Sequence, residues 1–228
     1  MSSGWFVCPL GRDTAERERE SIIYLRHDVD FCLESAVNMA RLENQMGIQS
    51  SFFILLDSPL YNIFEGTALR QIRCIESLGH SVGIHLDIEH SASPQEICHK
   101  FSIQYGCLKA LGLRPLRFFS FHRPHEDQIN LALPDGLDHA YSQNCFQPDH
   151  YLSDSGGRWK KDVIPLLFPD EKLARRINMQ LLIHPLWWSK ANLSVNERMQ
   201  VLISRLNDKN RAHLKENCRT YKRGDSGC

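Results

Sequence analysis

The sequence lacks an excess of either charge and any long apolar run. Its 228 residues include 27 basic and 27 acidic side chains, and the basic ones are scattered along the chain. Because proteins that bind nucleic acid usually carry a basic face, we predict no nucleic-acid partner. No apolar stretch approaches the roughly 18 residues needed to span a bilayer, and no export signal is apparent at the N-terminus. We therefore expect a cytoplasmic protein without a transmembrane segment.

The sequence also lacks paired-cysteine motifs, although it contains eight cysteines. None of the spacings matches a zinc finger or a CxxC redox pair. Cys74, Cys98 and Cys107 fall in segments with helical periodicity, where a thiol packs as a small apolar group. Without an export signal, we expect the cysteines to be reduced and structural.

Apolar strands and amphipathic helices alternate along the chain, which is typical of parallel βα units. The predicted strands are residues 22–25, 51–56, 81–84, 117–121, 139–141 and 179–183, with a loop at 149–157. A capping box of Ser194 and Glu197 predicts the start of the last helix. We expect one α/β domain over residues 1–228, with its core at about 20–206 and a frayed tail at about 221–228.

Ionisable side chains stand at the ends of four predicted strands. They are Asp28 and Asp30, His85 with Asp87, His122 with Arg123, and His184. A single Asp such as Asp30 is often no more than a helix cap, but the repetition at successive strand ends predicts a shared site. Carboxylate and imidazole groups together suit Zn²⁺, with Co²⁺, Ni²⁺ and Fe²⁺ as alternatives. The second carboxylate of the Asp pair is then available as a general base.

The order of these motifs resembles that of the NodB-type polysaccharide deacetylases over about residues 20 to 206. Arg26–Asp30 stands where the family has its aspartate pair, Gly79–His85 is similar to its GHxxGxH motif, and Ser120–Pro124 to its arginine–proline motif. Asp154–Trp159 stands in the place of its aspartate–tryptophan loop, and Leu181–His184 fits its LxxH ending. The resemblance implies a distorted, incomplete (β/α) barrel and a metal-dependent hydrolase that removes acetyl groups from sugars.

The resemblance also implies a role for each matched residue. Asp28 would be the base that activates the attacking water, and Arg123 the group that orients Asp28. Asp30 and His85 would be metal ligands. His184 would be the acid that protonates the leaving amine or alkoxide.

The third metal ligand departs from the family pattern. The family usually has a second histidine four residues after the first, but here Glu89 stands four residues after His85, and His90 comes one position later. We predict His122 as the third ligand, because the end of a strand positions a side chain more rigidly than a loop does. His90 and Glu89 stay open as alternatives.

The expected substrate is an acetylated sugar or a carrier-linked glycan precursor. Trp159 and Trp187, together with Trp188, are predicted to contact the sugar ring and the acetyl methyl. Two other functions use the same residues. One is the hydrolysis of a non-peptide C–N bond in a cyclic amide or imide, and the other is carbohydrate binding without catalysis.

Overall fold

The computed structural model describes residues 5–12, 21–159, 177–189, 191–218 and 220. The chain divides into two compact units, Met1–Trp188 and Ser189–Cys228. The first unit contains every described strand, and the second contains the last helix. The tail predicted at 221–228 lies outside the described residues, and the bounds of the predicted domain remain a prediction.

The described strands form one parallel sheet. They are β1 Trp5–Pro9, β2 Ser21–Val29, β3 Ser51–Leu55, β4 Ser81–Leu86, β5 Phe118–Phe121, β6 Asp138–His139, β7 Tyr151–Ser153 and β8 Asn178–Ile183. The order across the sheet is β6-β5-β4-β3-β2-β8-β7, and β1 pairs with the first half of β2. This sheet is a curled half-barrel, which confirms the incomplete (β/α) barrel predicted from the sequence.

Three helices connect the strands from β2 to β5, and a fourth lies in the second unit. They are α1 Leu33–Gln45, α2 Gly66–Ser77, α3 Pro94–Ala110 and α4 Val195–Asn217. The buried residues of α1, α2 and α3 pack with those of the sheet in one apolar core. Ser194 caps α4 as predicted, because its Oγ accepts a hydrogen bond from the Glu197 backbone N–H. Each described helix is too short or too polar to cross a bilayer.

Two differences from the predicted strands concern the functional residues. β2 continues to Val29, so Asp28 lies inside the strand, and β4 continues to Leu86, so His85 does too. The apolar pattern stops before the strands do, because the last residues of β2 and β4 include polar side chains such as Asp28 and His85 that face the half-barrel. The strands β1 and β7 were not predicted, and β7 lies in the segment expected to be a loop.

The structure explains why glycine is needed at two positions of the GHxxGxH motif. Gly79 follows the end of α2 with a φ of +89°, a conformation that favours glycine. A Cβ on Gly83 would lie 2.6 Å from the ring of Phe53 on the neighbouring strand β3. A side chain at position 83 would therefore force a shift of the Phe53 ring or of the strand that carries His85.

Candidate active site

The structure brings together the three residues that were predicted as metal ligands. One potential ligand atom from each of Asp30, His85 and His122 lies within 4.8 Å of the other two. Asp30 follows β2, His85 lies near the end of β4, and His122 follows β5. His85 Nε2 is 3.1 Å from Asp30 Oδ1, and the rings of His85 and His122 meet edge to face at 5.1 Å. We call these three residues the Asp–His–His cluster.

The donor atoms of the cluster suit a divalent cation. His85 Nδ1 lies 3.2 Å from the carbonyl oxygen of Ser120. Because a carbonyl can only accept, Nδ1 is the donor, and Nε2 is left as the nitrogen that a metal would bind. Asp30 Oδ1 and His122 Nδ1 are both buried, at 3.1 Å from His85 Nε2 and 3.2 Å from Asp87 Oδ1 respectively. One carboxylate and two imidazoles form a common ligand set for Zn²⁺ and similar ions.

The electrostatics of the cluster also favour a cation. Burial raises the pKa of Asp30, but the hydrogen bond and charge of His85, with the charges of His184 and His122, lower it to about 2. Burial lowers the pKa of His85, but the carboxylates of Asp28 and Asp30 raise it by more. Two carboxylates thus converge on one imidazole, and positive charge is stabilised between them.

The other candidates for the third ligand lie outside the cluster. Glu89 and His90 are both exposed in the loop after β4, and the His90 ring packs against His125 at 4.9 Å. The helix-cap alternative for Asp30 also fails, because the residue at the N-cap of α1 is Cys32. The geometry therefore favours His122 over both alternatives.

The predicted contact between Arg123 and Asp28 is wrong. Arg26 Nη2 donates to Asp28 Oδ2 at 3.0 Å, and both side chains are buried. The Arg123 side chain is 73% exposed, and its Nη2 lies 3.5 Å from both carboxylate oxygens of Asp87. Residues two apart in a strand share a face, so Arg26 and Asp28 point into the half-barrel together. Arg123 lies beyond the end of β5 and does not reach Asp28.

Arg26 stands at the centre of a buried polar network. Its Nη1 donates to Gln180 Oε1 at 2.9 Å, and its Nη2 also donates to the Tyr141 hydroxyl at 2.7 Å. Burial lowers the pKa of Arg26, but Asp28, Tyr141 and Tyr151 together outweigh it and leave the pKa above its usual range. Ser120 Oγ donates to Asp28 Oδ2 at 3.3 Å, whereas Asp28 Oδ1 has no hydrogen bond. The network therefore fixes the Asp28 carboxylate and leaves one oxygen free to accept a proton.

His184 lies beside the cluster and is held by Asp154. Its Nδ1 lies 2.6 Å from Asp154 Oδ1, and its backbone N–H donates to the same oxygen at 2.9 Å. Trp188 Nε1 donates to the other Asp154 oxygen at 2.7 Å. Burial lowers the pKa of His184, but Asp154, Asp28 and Asp30 together raise it by more. His184 Nε2 is 3.8 Å from Asp30 Oδ2, so this nitrogen faces the cluster.

Arg26 and Asp154 are functional candidates to which sequence reasoning gave no role. The two-residue spacing of Arg26 and Asp28 in a strand was a usable signal, because that spacing places both on one face. Asp154 stood in the predicted aspartate–tryptophan loop, but its partner His184 is 30 residues away. Nothing in the local sequence reveals that contact, because it depends on the pairing of β7 with β8.

The tryptophans predicted to bind substrate divide into two groups. The Trp187 ring packs against Phe31 at 5.7 Å, and Phe31 directly follows Asp30. Trp159 packs instead against Trp188 at 6.2 Å, and Trp188 is the residue whose Nε1 donates to Asp154. Trp187 therefore has an aromatic neighbour that directly follows a residue of the cluster, whereas Trp159 is linked to Asp154 through Trp188.

Comparisons with known proteins support the fold. No protein-family model matches the chain, and no curated protein matches it. The chitin deacetylase from the fungal pathogen Colletotrichum lindemuthianum is 14% identical, with a TM-score of 0.50 over 82% of this chain and 81% of its own. The peptidoglycan deacetylase PdaC from Bacillus subtilis is 15% identical, with a TM-score of 0.48 over 90% and 98%.

A pseudoenzyme of carbohydrate esterase family 4 from Bacillus anthracis is also similar, with 14% identity and a TM-score of 0.43. The match covers 84% of this chain but 62% of the pseudoenzyme, and 64% of a mutant of it with restored activity. These neighbours are carbohydrate esterases and deacetylases of the kind that the sequence motifs resemble. At this identity the likeness to the chitin deacetylase, with its TM-score of 0.50, supports the fold alone, and the resemblance noted in the sequence is confirmed at that level.

Proposed function

We propose that this chain is a metal-dependent hydrolase that removes an acetyl group from an acetylated sugar or a carrier-linked glycan precursor. The observation that carries the proposal is a convergence at one end of the half-barrel. A carboxylate held by Arg26 and an imidazole held by Asp154 both adjoin the Asp–His–His cluster, each within 3.8 Å of one of its residues. A base and an acid beside a candidate metal site are the groups that hydrolysis of an acetyl group requires.

Asp30, His85 and His122 would hold the cation, for which Zn²⁺ is proposed and Co²⁺, Ni²⁺ or Fe²⁺ are alternatives. When bound, a cation of this kind polarises a carbonyl group and lowers the pKa of water. The hydrogen bond from His85 Nδ1 to Ser120 fixes the imidazole in the tautomer that a ligand needs.

The remaining chemistry belongs to the side chains around the cluster. The oxygen of water attacks the acetyl carbonyl carbon, and Asp28 Oδ1 accepts the water proton. His184 donates the proton on Nε2 to the leaving nitrogen or oxygen as its bond to the carbonyl carbon breaks. The products are acetate and a free amine or hydroxyl. Arg26 keeps Asp28 in position, and Asp154 keeps the proton on His184.

Phe31 and Trp187 supply an apolar surface beside this chemistry. We infer that the acetyl methyl packs against them, because an aromatic wall excludes water from the apolar end of the substrate. Trp159 is assigned to the more distant sugar ring. Removal of an N-acetyl group breaks a non-peptide C–N bond, so the cyclic amide alternative would use the same residues. A cytoplasmic location, expected from the sequence, would favour small or carrier-linked substrates.

The test combines metal analysis with acetate release from a panel of N- and O-acetylated sugars. We expect Asp30→Ala to lose both bound metal and activity, and Asp28→Asn to keep metal and lose turnover. Asp149→Asn is the matched control, because Asp149 is exposed in the segment before β7. Absence of metal after reconstitution would overturn the metal-dependent proposal, and normal turnover by Asp28→Asn would overturn the assigned base. Turnover of cyclic imides alone would establish the alternative.

A further inference from the structure

Arg123 takes no part in the chemistry described above, yet it lies beside the cluster. Its side chain is 73% exposed, and among the described residues its contact is Asp87, 3.5 Å from Nη2 to each carboxylate oxygen. Charge-assisted hydrogen bonds between nitrogen and carboxylate are usually about 2.7–2.9 Å long. The contact is therefore loose, and most of the five N–H donors of this guanidinium face solvent.

Asp87 also places Arg123 within reach of a bound sugar. Asp87 Oδ1 lies 3.2 Å from His122 Nδ1 and 3.5 Å from Arg123 Nη2. The distance from Arg123 Nη2 to His122 Nδ1 therefore cannot exceed the sum of these two distances. A pyranose ring with one substituent spans a gap of that size, so a sugar whose acetyl group lies at the cluster can extend a second group to Arg123.

The backbone holds Arg123 in this place. Its φ is +53°, in the left-handed region that residues other than glycine rarely adopt, and Pro124 restricts it further. The preceding residue is fixed, because the His122 backbone N–H donates to the Leu86 carbonyl at 2.8 Å. Such strained residues cluster at functional sites, where the surrounding structure maintains them. The position of Arg123 is consequently a property of the fold.

A nearby lysine is already engaged. Lys100 Nζ pairs with Asp57 at 2.8 Å and also donates to the backbone carbonyl of Asp87. The Lys100 ammonium group therefore already has two acceptors, the Asp57 carboxylate and the Asp87 carbonyl. Arg123, by contrast, has a loose partner and exposed donors, so it is the better placed of the two cations to bind an anion.

We propose that Arg123 binds an anionic group, a carboxylate or a phosphate, on the acetylated sugar, and selects charged sugars over neutral ones. This inference rests on the proposed function. Because Arg26 already pairs with Asp28, Arg123 is not needed to orient that carboxylate. A planar guanidinium can bind a carboxylate or phosphate through two parallel hydrogen bonds. Asp87 holds the guanidinium toward the cluster until the anion replaces its loose contact.

The test measures binding and turnover separately in the Zn²⁺-loaded protein. The probes are N-acetylglucosamine, its 6-phosphate, and N-acetylmuramic acid, which adds a carboxylate to the same sugar. Calorimetry should show about tenfold tighter binding of at least one charged sugar than of the neutral sugar, the effect expected of one charge-assisted contact. The charged sugar that binds more tightly identifies the anion as phosphate or carboxylate.

Three variants make the test specific. Arg123→Gln should abolish the tenfold preference, and Arg123→Lys should restore part of it, because lysine keeps the charge but loses the planar fork. Arg117→Gln is the matched control and should keep the preference, since Arg117 is exposed at the opposite end of β5. Acetate release from each sugar is measured for the same proteins, as the ratio of kcat/KM between charged and neutral sugars.

The outcomes separate this inference from the proposed function. Equal affinity for charged and neutral sugars in the parent protein would overturn the inference, as would a preference that survives in Arg123→Gln. Acetate release with no difference between the sugars would support the proposed function and overturn the inference. A charge preference in binding that depends on Arg123, without acetate release from any probe, would uphold the inference and count against deacetylation of these sugars.

Discussion

Replacing Arg26 by methionine should destabilise the protein mainly through the carboxylate it leaves behind. Arg26 is fully buried, and its guanidinium lies between Asp28, Gln180 and Tyr141. Methionine has a similar length but no charge, so Arg26→Met leaves Asp28 as a buried carboxylate without its cation. Removal of one partner from a buried ion pair costs about 3–5 kcal/mol, a large part of the roughly 5–15 kcal/mol that stabilises a typical domain.

The double variant separates this charge effect from lost packing. In Arg26→Met with Asp28→Asn, the uncompensated carboxylate is gone, and the two contacts of Arg26 to Gln180 and Tyr141 are what remains to be lost. Each such contact contributes about 1 kcal/mol. The two contacts cost about 2 kcal/mol against about 3–5 kcal/mol in the parent, so we expect Arg26→Met to cost about 1–3 kcal/mol less in the Asp28→Asn background.

The assay is urea unfolding at pH 7 of metal-free protein, so that bound metal does not add to the stability of the folded state. The four proteins of the double-mutant cycle are compared, together with Arg26→Lys, which retains a cation and should lose less. If Arg26→Met costs the same free energy in both backgrounds, Arg26 acts through packing alone. That result would refute its role in holding the Asp28 carboxylate.

Three further predictions follow, two from the candidate site and one from the buried pair of His27 and Glu43, whose Nε2 and Oε1 atoms lie 2.7 Å apart. His122→Ala should lose bound metal by elemental analysis, whereas His90→Ala should keep it. Asp154→Asn removes the group that raises the pKa of His184, so the alkaline limb of the kcat profile should move to lower pH, with kcat reduced at least about tenfold. Glu43→Gln should lower the free energy of unfolding at pH 7 by about 1–3 kcal/mol, measured in urea.

The pH dependence of the Glu43 effect has a definite sign. Burial raises the pKa of Glu43, but His27 and Ser50 lower it by more, so the folded-state pKa lies below the ordinary 4.5. The stabilisation is present above pH 4.5 and is lost as the pH falls through the folded-state pKa. The difference between Glu43→Gln and the parent should narrow over that acid range. A constant difference would contradict the assignment.

The other two predictions have equally clear contrary results. Unchanged metal content in His122→Ala would exclude it as the third ligand. Loss of metal in His90→Ala would show that the loop after β4 moves to supply a ligand. An alkaline limb that stays in place in Asp154→Asn would mean that His184 is not the acid, or that Asp154 does not control its proton.

The fold was predictable because its signal is repeated along the chain. Apolar strands such as Ser51–Leu55 alternate with helices whose buried residues recur every three or four positions, and these patterns predict parallel βα units. β7 escaped prediction because three residues are too few to show a period. The ends of β2 and β4 were missed because their inward residues are polar, which is also what makes them functional.

The candidate site was predictable where one strand end supplies one ligand, and not where partners come from distant segments. Asp30, His85 and His122 stand at strand ends, and the parallel sheet brings such ends together. The partner of the base was assigned to Arg123 because the motif pattern suggested it, although strand alternation favoured Arg26. The contact between His184 and Asp154 depends on sheet pairing that local sequence does not encode.

Successive side chains of β2 point to opposite faces of the sheet. This alternation separates the contact of Arg26 with Asp28 from the contact of His27 with Glu43. Arg26 and Asp28 point into the half-barrel, while His27 between them points to α1, where its Nε2 lies 2.7 Å from Glu43 and its ring stacks on Phe52 at 4.4 Å. A shift of one residue would exchange the two faces and put Asp28 against the apolar helix layer. The contact between His27 and Glu43 opposes that shift. Glu43 lies on α1, so His27 would lose this contact if its side chain turned into the half-barrel. The register of β2 is therefore what keeps the base in the half-barrel.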